Sequence, residues 1–141
     1  MSSNMHEKQV HVKIGKIILE GNLAIPKASE AIVLFAHGSG SSRHSPRNQY
    51  VARVLQKAGL STLLIDLLTI DEERVDDYTA HLRFDIALLA QRLAGATDWL
   101  INNQETQHLN IGYFGASTGA AAALAAATKH PDVVNAIVSR G

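Results

Sequence analysis

The sequence contains no cysteine, which excludes a disulfide framework, a thiolate nucleophile and any metal site built on cysteine. It has no excess of either charge, since 13 Lys and Arg residues balance 13 Asp and Glu residues. This balance argues against a general nucleic-acid-binding or membrane-binding protein. No apolar run approaches the roughly 20 residues that a membrane-spanning helix needs. The segment Met1–Lys13 is polar and has no signal-peptide core, so we expect a cytoplasmic location.

The remaining composition is that of a globular domain. Hydrophobic residues make up 46% of the 141 residues, which is enough for one domain with its own core. No internal repeat or interdomain linker divides the chain, so residues 1–141 are predicted to form a single domain. The seven histidines form no pair with the spacing of metal ligands. We therefore expect neither a metal nor a cofactor.

Strands and helices are predicted to alternate after an initial antiparallel hairpin. Uninterrupted apolar runs are typical of strands buried on both faces, as in a parallel sheet covered by helices. The predicted strands are Val10–Ile14 and Ile17–Ile25 in the hairpin, followed by buried strands at Ala31–Ala36, Ser61–Ile65, Ile111–Phe114 and Val133–Val138. The predicted helices are Tyr50–Lys57, with Pro46 in its first turn, Tyr78–Asn102, and an alanine-rich helix that follows Ser117, whereas Leu67–Asp77 is predicted to be an acidic loop. The pattern indicates an α/β fold with a doubly wound, mostly parallel sheet.

The segment Gly115-Ala-Ser-Thr-Gly119 is the strongest functional signal. It matches G-x-S-x-G, the nucleophile elbow, between an apolar strand and a long helix. Ser117 would occupy a strained backbone conformation that lifts its hydroxyl above the sheet. Gly115 and Gly119 would flank it because a Cβ at either position would collide where strand and helix pack closely. The alternative is a simple turn in which Ser117 or Thr118 caps the helix.

A second glycine-rich loop, His37-Gly-Ser-Gly-Ser-Ser-Arg-His44, follows the buried strand Ala31–Ala36. It is predicted to lie at the carboxyl edge of the sheet, where open α/β proteins bind ligands. The loop lacks the spacing of a dinucleotide or phosphate-binding motif, which argues against a nucleotide site. Arg43, His44 and Arg47 form either an anion-attracting group or a solvated rim.

With both loops in place, the chain resembles the α/β-hydrolase superfamily, and its dienelactone hydrolase-like branch in particular. The resemblance is carried by H-G-S-G-S-S-R-H-S-P-R-N, L-L-I-D-L-L-T, H-L-R-F-D-I, G-Y-F-G-A-S-T-G-A-A-A-A-L and V-S-R-G. It implies that Ser117 is the nucleophile and that the backbone N–H of Thr118 is one oxyanion donor. The other donor would be the N–H of Ser39 or, as the alternative, of Gly38. His37 would brace this loop rather than act as a base.

The sequence departs from the family in two respects. Dienelactone hydrolase itself has a cysteine where this chain has Ser117, so dienelactones are not assumed as substrates. The family also places its triad acid and histidine after strands that follow the one predicted at Val133–Val138. We therefore expect an incomplete domain whose C-terminal strands are missing, and an isolated chain with impaired catalysis. His44 is the best local candidate for a base, while Asp66 ends a strand on the same edge of the sheet.

The sequence thus predicts a serine hydrolase that acts on an ester, lactone or similar small acyl compound. The alternative is a non-catalytic hydrolase-like fragment that serves as a binding module. If the strand Val133–Val138 has an open edge, that edge could pair with another chain or with the missing C-terminal segment. Some family members are fused to phosphoribosyltransferase domains, but nothing in this sequence indicates such a fusion.

Overall fold

The computed structural model describes residues 5–37, 42–79, 81–82 and 85–140. Within these ranges the chain forms six strands and four helices. The strands are β1 Met5–Ile14, β2 Ile17–Pro26, β3 Ala31–Ala36, β4 Ser61–Ile65, β5 Asn110–Ala116 and β6 Val134–Arg140. The helices are α1 Pro46–Lys57, α2 Ile70–Thr79, α3 Ile86–Asn102 and α4 Thr118–Ala127. In this part of the chain, no helix is long and apolar enough to cross a bilayer.

The six strands form one mixed sheet in the order β1-β2-β4-β3-β5-β6. β1 and β2 pair as an antiparallel hairpin, and Gly15 adopts a positive φ of 59° in its turn. β2 also pairs antiparallel with β4, whereas β3 pairs in parallel with both β4 and β5, and β6 runs parallel to β5. This arrangement confirms the predicted α/β class with an N-terminal hairpin.

Helices cover both faces of the sheet. Neighbouring residues on a strand point to opposite faces, so adjacent residues of one strand contact different helices. Leu34 belongs to the main core with residues of α3 and α4, while the adjacent Phe35 packs against Ala52 of α1. Trp99 of α3 is partly buried and packs against the main core. All five residues of β4 are buried, which agrees with its predicted position inside the sheet. The described residues therefore form a doubly wound structure.

The predicted acidic loop at Leu67–Asp77 is wrong, because most of it lies in α2. This helix begins with a reciprocal cap: the Glu72 N–H donates to Thr69 Oγ1, and the Thr69 N–H donates to Glu72 Oε1. The long helix predicted at Tyr78–Asn102 is also wrong in its start. Helix α3 begins at Ile86, and the Asp85 carboxylate caps it by accepting the Leu88 N–H.

The last strand differs from the prediction in its burial. β6 was expected to be buried, but it lies at the edge of the sheet in the described residues, and Val138 is 57% exposed. Among the residues that the structure describes, β6 pairs with β5 on one side and with no strand on the other. An apolar run is therefore compatible with an edge strand here, since its burial depends on what lies beside it rather than on its own sequence.

Candidate functional site

The elbow is built at the junction of β5 and α4. Ser117 separates the two elements and has φ 57° and ψ −126°. A side chain in this region of backbone space costs on the order of 1–3 kcal/mol, so it persists only where the surrounding structure enforces it. The Ser117 N–H donates to the carbonyl of Arg140 at 2.9 Å, which ties the turn to the end of β6. The residue is exposed.

The two flanking glycines are required by close packing, which confirms the prediction made for them. A Cβ on Gly115 would lie 2.6 Å from the Gly119 carbonyl oxygen. A Cβ on Gly119 would lie 2.1 Å from the Ala36 carbonyl oxygen and 2.5 Å from that of His37. Both distances are far shorter than a van der Waals contact. The first turn of α4 therefore sits directly against the end of β3.

Helix capping does not explain why a serine occupies position 117. Ser117 occupies the N-cap position of α4, but its side chain makes no capping hydrogen bond. The hydroxyl oxygen of Thr118 is buried and also has no hydrogen-bond partner. The interpretation of Ser117 or Thr118 as a simple cap is therefore wrong. The backbone N–H of Thr118 lies in the first turn, where helix N–H groups are free of intrahelical partners and favour negative charge.

The loop after β3 is described only at its two ends. His37 is buried, and its Nε2 accepts the backbone N–H of Leu67 at 3.0 Å. An Nε2 atom that accepts a fixed N–H is not free to take a proton from a nucleophile. This contact agrees with a bracing role for His37, which remains a prediction. Gly38 and Ser39, the predicted donors of the loop, lie outside the described residues.

Neither predicted role of the Arg43, His44 and Arg47 group, anion attraction or a solvated rim, fits Arg43. Its guanidinium pairs with Asp66 and with Glu20, and only 12% of its side chain is exposed. Arg43 is thus part of an internal ion-pair network rather than a free anion site or a solvated rim. Its partners lie 23 residues away in the chain, so no local pattern could reveal the network. The position of Asp66, directly after a buried strand, was the available signal.

No described histidine is bonded to the Ser117 hydroxyl. His44 is exposed, and its backbone N–H donates to Ser42 Oγ. His130 follows α4 at the far end from Ser117 and lies 3.3 Å from an Asp98 carboxylate oxygen. Within the described ranges there is also no group of three potential His, Asp or Glu metal ligands. The described residues therefore bring together an exposed serine hydroxyl and a helix N-terminus, and no described histidine is hydrogen-bonded to that hydroxyl.

Two neighbouring carboxylates in α2 have opposite pKa shifts. Hydrogen bonding to Arg92 lowers the pKa of Glu72 to about 2, and its contacts with Thr69 act in the same direction. Burial raises the pKa of Glu73, and the negative charge of Asp66 adds to this effect. Ionisation of Glu73 is therefore disfavoured by its burial and by the negative charge of the neighbouring Asp66.

Comparison with known proteins supports the fold. No protein-family model matches the chain. Two curated proteins from two strains of Mycobacterium tuberculosis, each named "Putative phosphoribosyl transferase", are 53% identical over 137 residues, which is 97% of this chain and 30% of theirs. A crystal structure of dienelactone hydrolase from Anabaena variabilis is 64% identical, with a TM-score of 0.95, over 96% of this chain and 63% of that one. A cold-adapted esterase from an Arctic intertidal metagenomic library has 18% identity and a TM-score of 0.75, which shows the fold alone.

Proposed function

We propose that this chain, which has the fold of the dienelactone hydrolase-like branch of the α/β-hydrolases, is part of a serine hydrolase that acts on an ester, lactone or similar acyl compound. One observation carries the proposal. Ser117 is exposed, uncapped and held at a positive φ between two glycines that admit no Cβ. Backbone strain at an exposed serine whose side chain makes no capping hydrogen bond is typical of a functional position.

The reaction would begin with attack of Ser117 Oγ on the carbonyl carbon of the substrate. The bond from Oγ to this carbon forms as the carbonyl π electrons move to oxygen, and the hydroxyl proton passes to a base. The Thr118 N–H at the start of α4 and the N–H of Ser39, or alternatively of Gly38, would hold the oxyanion. Each donor of this kind is worth about 3 kcal/mol, so the two loops matter as much as the hydroxyl. Collapse of the adduct expels the leaving group and leaves an acyl-serine for water to hydrolyse.

The chain spans 30% of the length of the curated relatives and 63% of the dienelactone hydrolase structure. The elbow in this chain supports the hydrolase chemistry. We do not extend the transferase activity in the relatives' name to this chain, because its glycine-rich loop lacks the residue spacing of a phosphate-binding motif.

The base is expected to come from outside the described residues. A serine hydroxyl without an adjacent base is a weak nucleophile. No described histidine is bonded to Ser117, and the one buried histidine near the elbow, His37, uses Nε2 to accept a backbone N–H. We therefore expect slow ester turnover by the 141-residue chain, with the covalent step at Ser117 still detectable.

The test is hydrolysis of p-nitrophenyl esters of increasing acyl length by the wild-type chain and by Ser117→Ala. The wild type should show slow release that exceeds the background reaction, and Ser117→Ala should remove the excess. Thr128→Ala serves as the matched control, because it removes an exposed hydroxyl just past the opposite end of α4, where it bonds only the Ala125 carbonyl. Excess hydrolysis that is equal in wild type and Ser117→Ala would contradict the proposal.

The second candidate function is a non-catalytic binding module. The edge position of β6 favours it, because an edge strand offers free backbone groups for pairing with a further strand. Here the occupant would be a strand that continues the sheet, from another chain or from a longer form of this one. A module of this kind would bind such a strand equally well as wild type and as Ser117→Ala, and neither protein would form a covalent serine adduct.

A further inference from the structure

Strand β1 forms the edge of the sheet that lies far from the elbow, since β2, β4 and β3 separate it from β5. It pairs with β2 over its whole length in an unbroken register. Among the residues that the structure describes, no strand pairs with its other side. The backbone N–H and C=O groups along such an edge are available for pairing with a further strand.

The hairpin turn determines which backbone groups of β1 face this open edge. Ile14 and Ile17 flank a two-residue turn, so they form a hydrogen-bonded pair. Hydrogen-bonded and non-hydrogen-bonded pairs alternate along an antiparallel ladder, so the even-numbered residues of β1 bond to β2. The odd-numbered residues therefore direct their backbone groups to the open edge. Between positions 7 and 13 these residues are Glu7, Gln9, His11 and Lys13, and all four are exposed.

The charges along this edge fit a second copy of the strand that runs in the opposite direction. Glu7 and Lys13 have no ionic partner in the described ranges, whereas Lys8 pairs with Glu105. Glu7 and Lys13 stand at equal distances on either side of Val10. Antiparallel pairing of two copies about a two-fold axis at Val10 therefore sets Glu7 of each copy opposite Lys13 of the other. Opposite charges in directly facing positions stabilise a strand pair.

No other two-fold register of β1 sets opposite charges against each other. A two-fold axis perpendicular to the sheet keeps each side chain on its own face, so facing residues are both odd-numbered or both even-numbered. Glu7 is the only acid in β1, and Lys8 is excluded as its partner by this rule. An axis at Glu7, Lys8 or Lys13 would set like charges against each other, which is unfavourable. The charges of the strand thus favour the register about Val10.

The opposite face of the strand agrees with the same register. Val10 and Val12 point into the main core and are 6% and 0% exposed. An axis at Val10 sets this side chain against its own counterpart, which extends the apolar core across the interface. Pairs of β-branched residues in facing positions stabilise a sheet.

We propose that β1 is a homodimerisation edge, at which two copies of this chain pair in antiparallel fashion about Val10 and continue one sheet into the other. The interface is isologous, because each copy contributes the same strand. A single strand pair is a small interface, so the dimer is weak and transient. The inference is independent of the proposed function, because the edge contains no residue of the elbow.

Sedimentation velocity of the purified chain, over a concentration series that reaches about 0.5 mM, measures the dissociation constant of the dimer. Lys13→Glu replaces both attractive contacts of the symmetric interface by repulsive ones, and Glu7→Lys does the same. We expect either variant to raise the dissociation constant by about tenfold or more. The double variant Glu7→Lys with Lys13→Glu exchanges the two charges and should restore the wild-type dissociation constant.

Lys16→Glu is the matched control for these charge reversals. It makes the same change in net charge as Lys13→Glu, but it lies in the hairpin turn outside the paired segment. At about 0.15 M salt, exposed charges more than about 8 Å apart are largely screened from each other. The dissociation constant of Lys16→Glu should therefore equal that of the wild type.

Disulfide trapping tests the register separately, because the chain has no cysteine of its own. About the proposed axis, the thiols introduced by Val10→Cys face each other in a non-hydrogen-bonded pair, with Cα atoms about 4.5 Å apart, which a disulfide can span. Val12→Cys is the control at another buried position of the strand. Val12 faces Lys8 of the other copy, so its two thiols would belong to Cα atoms about 13 Å apart or more, which is too far for a disulfide.

The proposal is supported by a reversible wild-type dimer that each single reversal weakens and the double reversal restores, with oxidative cross-linking of Val10→Cys alone. A wild type that stays monomeric over the whole series overturns it. A dimer that Lys13→Glu does not weaken, or that Lys16→Glu weakens equally, also overturns it, as does equal cross-linking of Val10→Cys and Val12→Cys. If either cysteine variant fails to fold, the charge variants still decide, because they alter only exposed side chains.

Discussion

Replacement of Gly119 by alanine should be the most damaging one-carbon change at the elbow. The added Cβ would lie 2.1 Å from the Ala36 carbonyl oxygen and 2.5 Å from the His37 carbonyl oxygen. Relaxed contacts of this kind need about 3.5 Å. Because both opposing atoms belong to the backbone at the end of β3, no side chain can rotate away, and α4 and β3 must separate.

The magnitude follows from two opposing effects. Overpacking of a close contact costs about 1–3 kcal/mol and sometimes more, and the backbone clash at Gly119 belongs at the upper end. Alanine returns about 1 kcal/mol through its higher helix propensity. We expect the free energy of unfolding of Gly119→Ala to be lower than that of the wild type by at least about 2 kcal/mol. Covalent modification of Ser117 by a fluorophosphonate should be lost in parallel.

Gly112→Ala is the matched control. Its Cβ would meet the Ala136 carbonyl oxygen at 3.4 Å, an ordinary contact, in the same strand that leads to the elbow. Its stability should stay within about 0.5 kcal/mol of the wild type, or increase slightly, since glycine is unfavourable in a strand. Urea unfolding followed by circular dichroism measures both variants. Equal stabilities for Gly119→Ala and Gly112→Ala would refute the account of the packing.

Three further predictions concern stability. Hydrogen bonding to Arg92 lowers the pKa of Glu72 to about 2, so the contribution of this pair to folding stability is present above about pH 4.5 and is lost as the pH falls towards 2. The shift sets an upper bound of about 3 kcal/mol on this contribution to the free energy of unfolding, and partial exposure of Glu72 reduces it to about 1–2 kcal/mol. Urea titrations at about pH 6 and pH 2.5 should show a smaller acid loss for Glu72→Gln, and an equal loss would refute the pairing. Glu73 has a raised pKa, so Glu73→Gln should be more stable than the wild type at pH 7, with the difference vanishing in acid. Ser117→Gly should be more stable than Ser117→Ala by about 1 kcal/mol, because only glycine relieves the positive φ, and equal stabilities would contradict the strain.

The elbow could be predicted from the sequence because its constraints are local. An apolar strand, two glycines and a serine occupy consecutive positions, and an alanine-rich helix follows them. Small residues are needed at each of these positions for steric reasons, so the pattern reports the geometry directly. The same holds for β3 and β4, whose uninterrupted apolar runs indicate strands that are covered on both faces.

Helix α2 was missed because its hydrophobic pattern is inverted. It buries Asp76 and exposes Ile70, Val75 and Tyr78, so helical periodicity gives no signal. A bidentate pair with Arg92 holds the helix, through a contact between residues 20 positions apart. The local signal that could have found the helix start is the T-x-x-E capping box at Thr69.

The ion-pair network around Asp66 could not be predicted for a related reason. Arg43 looks like a solvated loop residue in the sequence, because its partners are brought near only by the pairing of β2 with β4. Burial of β6 was likewise misjudged, since an edge strand and a central strand can have the same apolar run. Local sterics are thus recorded in the sequence, whereas long-range polar contacts and the cover of a strand depend on the assembled sheet.

The most direct test of the central claim is identification of the residue that a fluorophosphonate modifies. Peptide mapping of the labelled protein should place one adduct on Ser117, and the adduct should be absent from Ser117→Ala. An adduct on any other serine, or on none after prolonged exposure at saturating probe, would contradict the claim that the strained elbow of this fold presents a nucleophile.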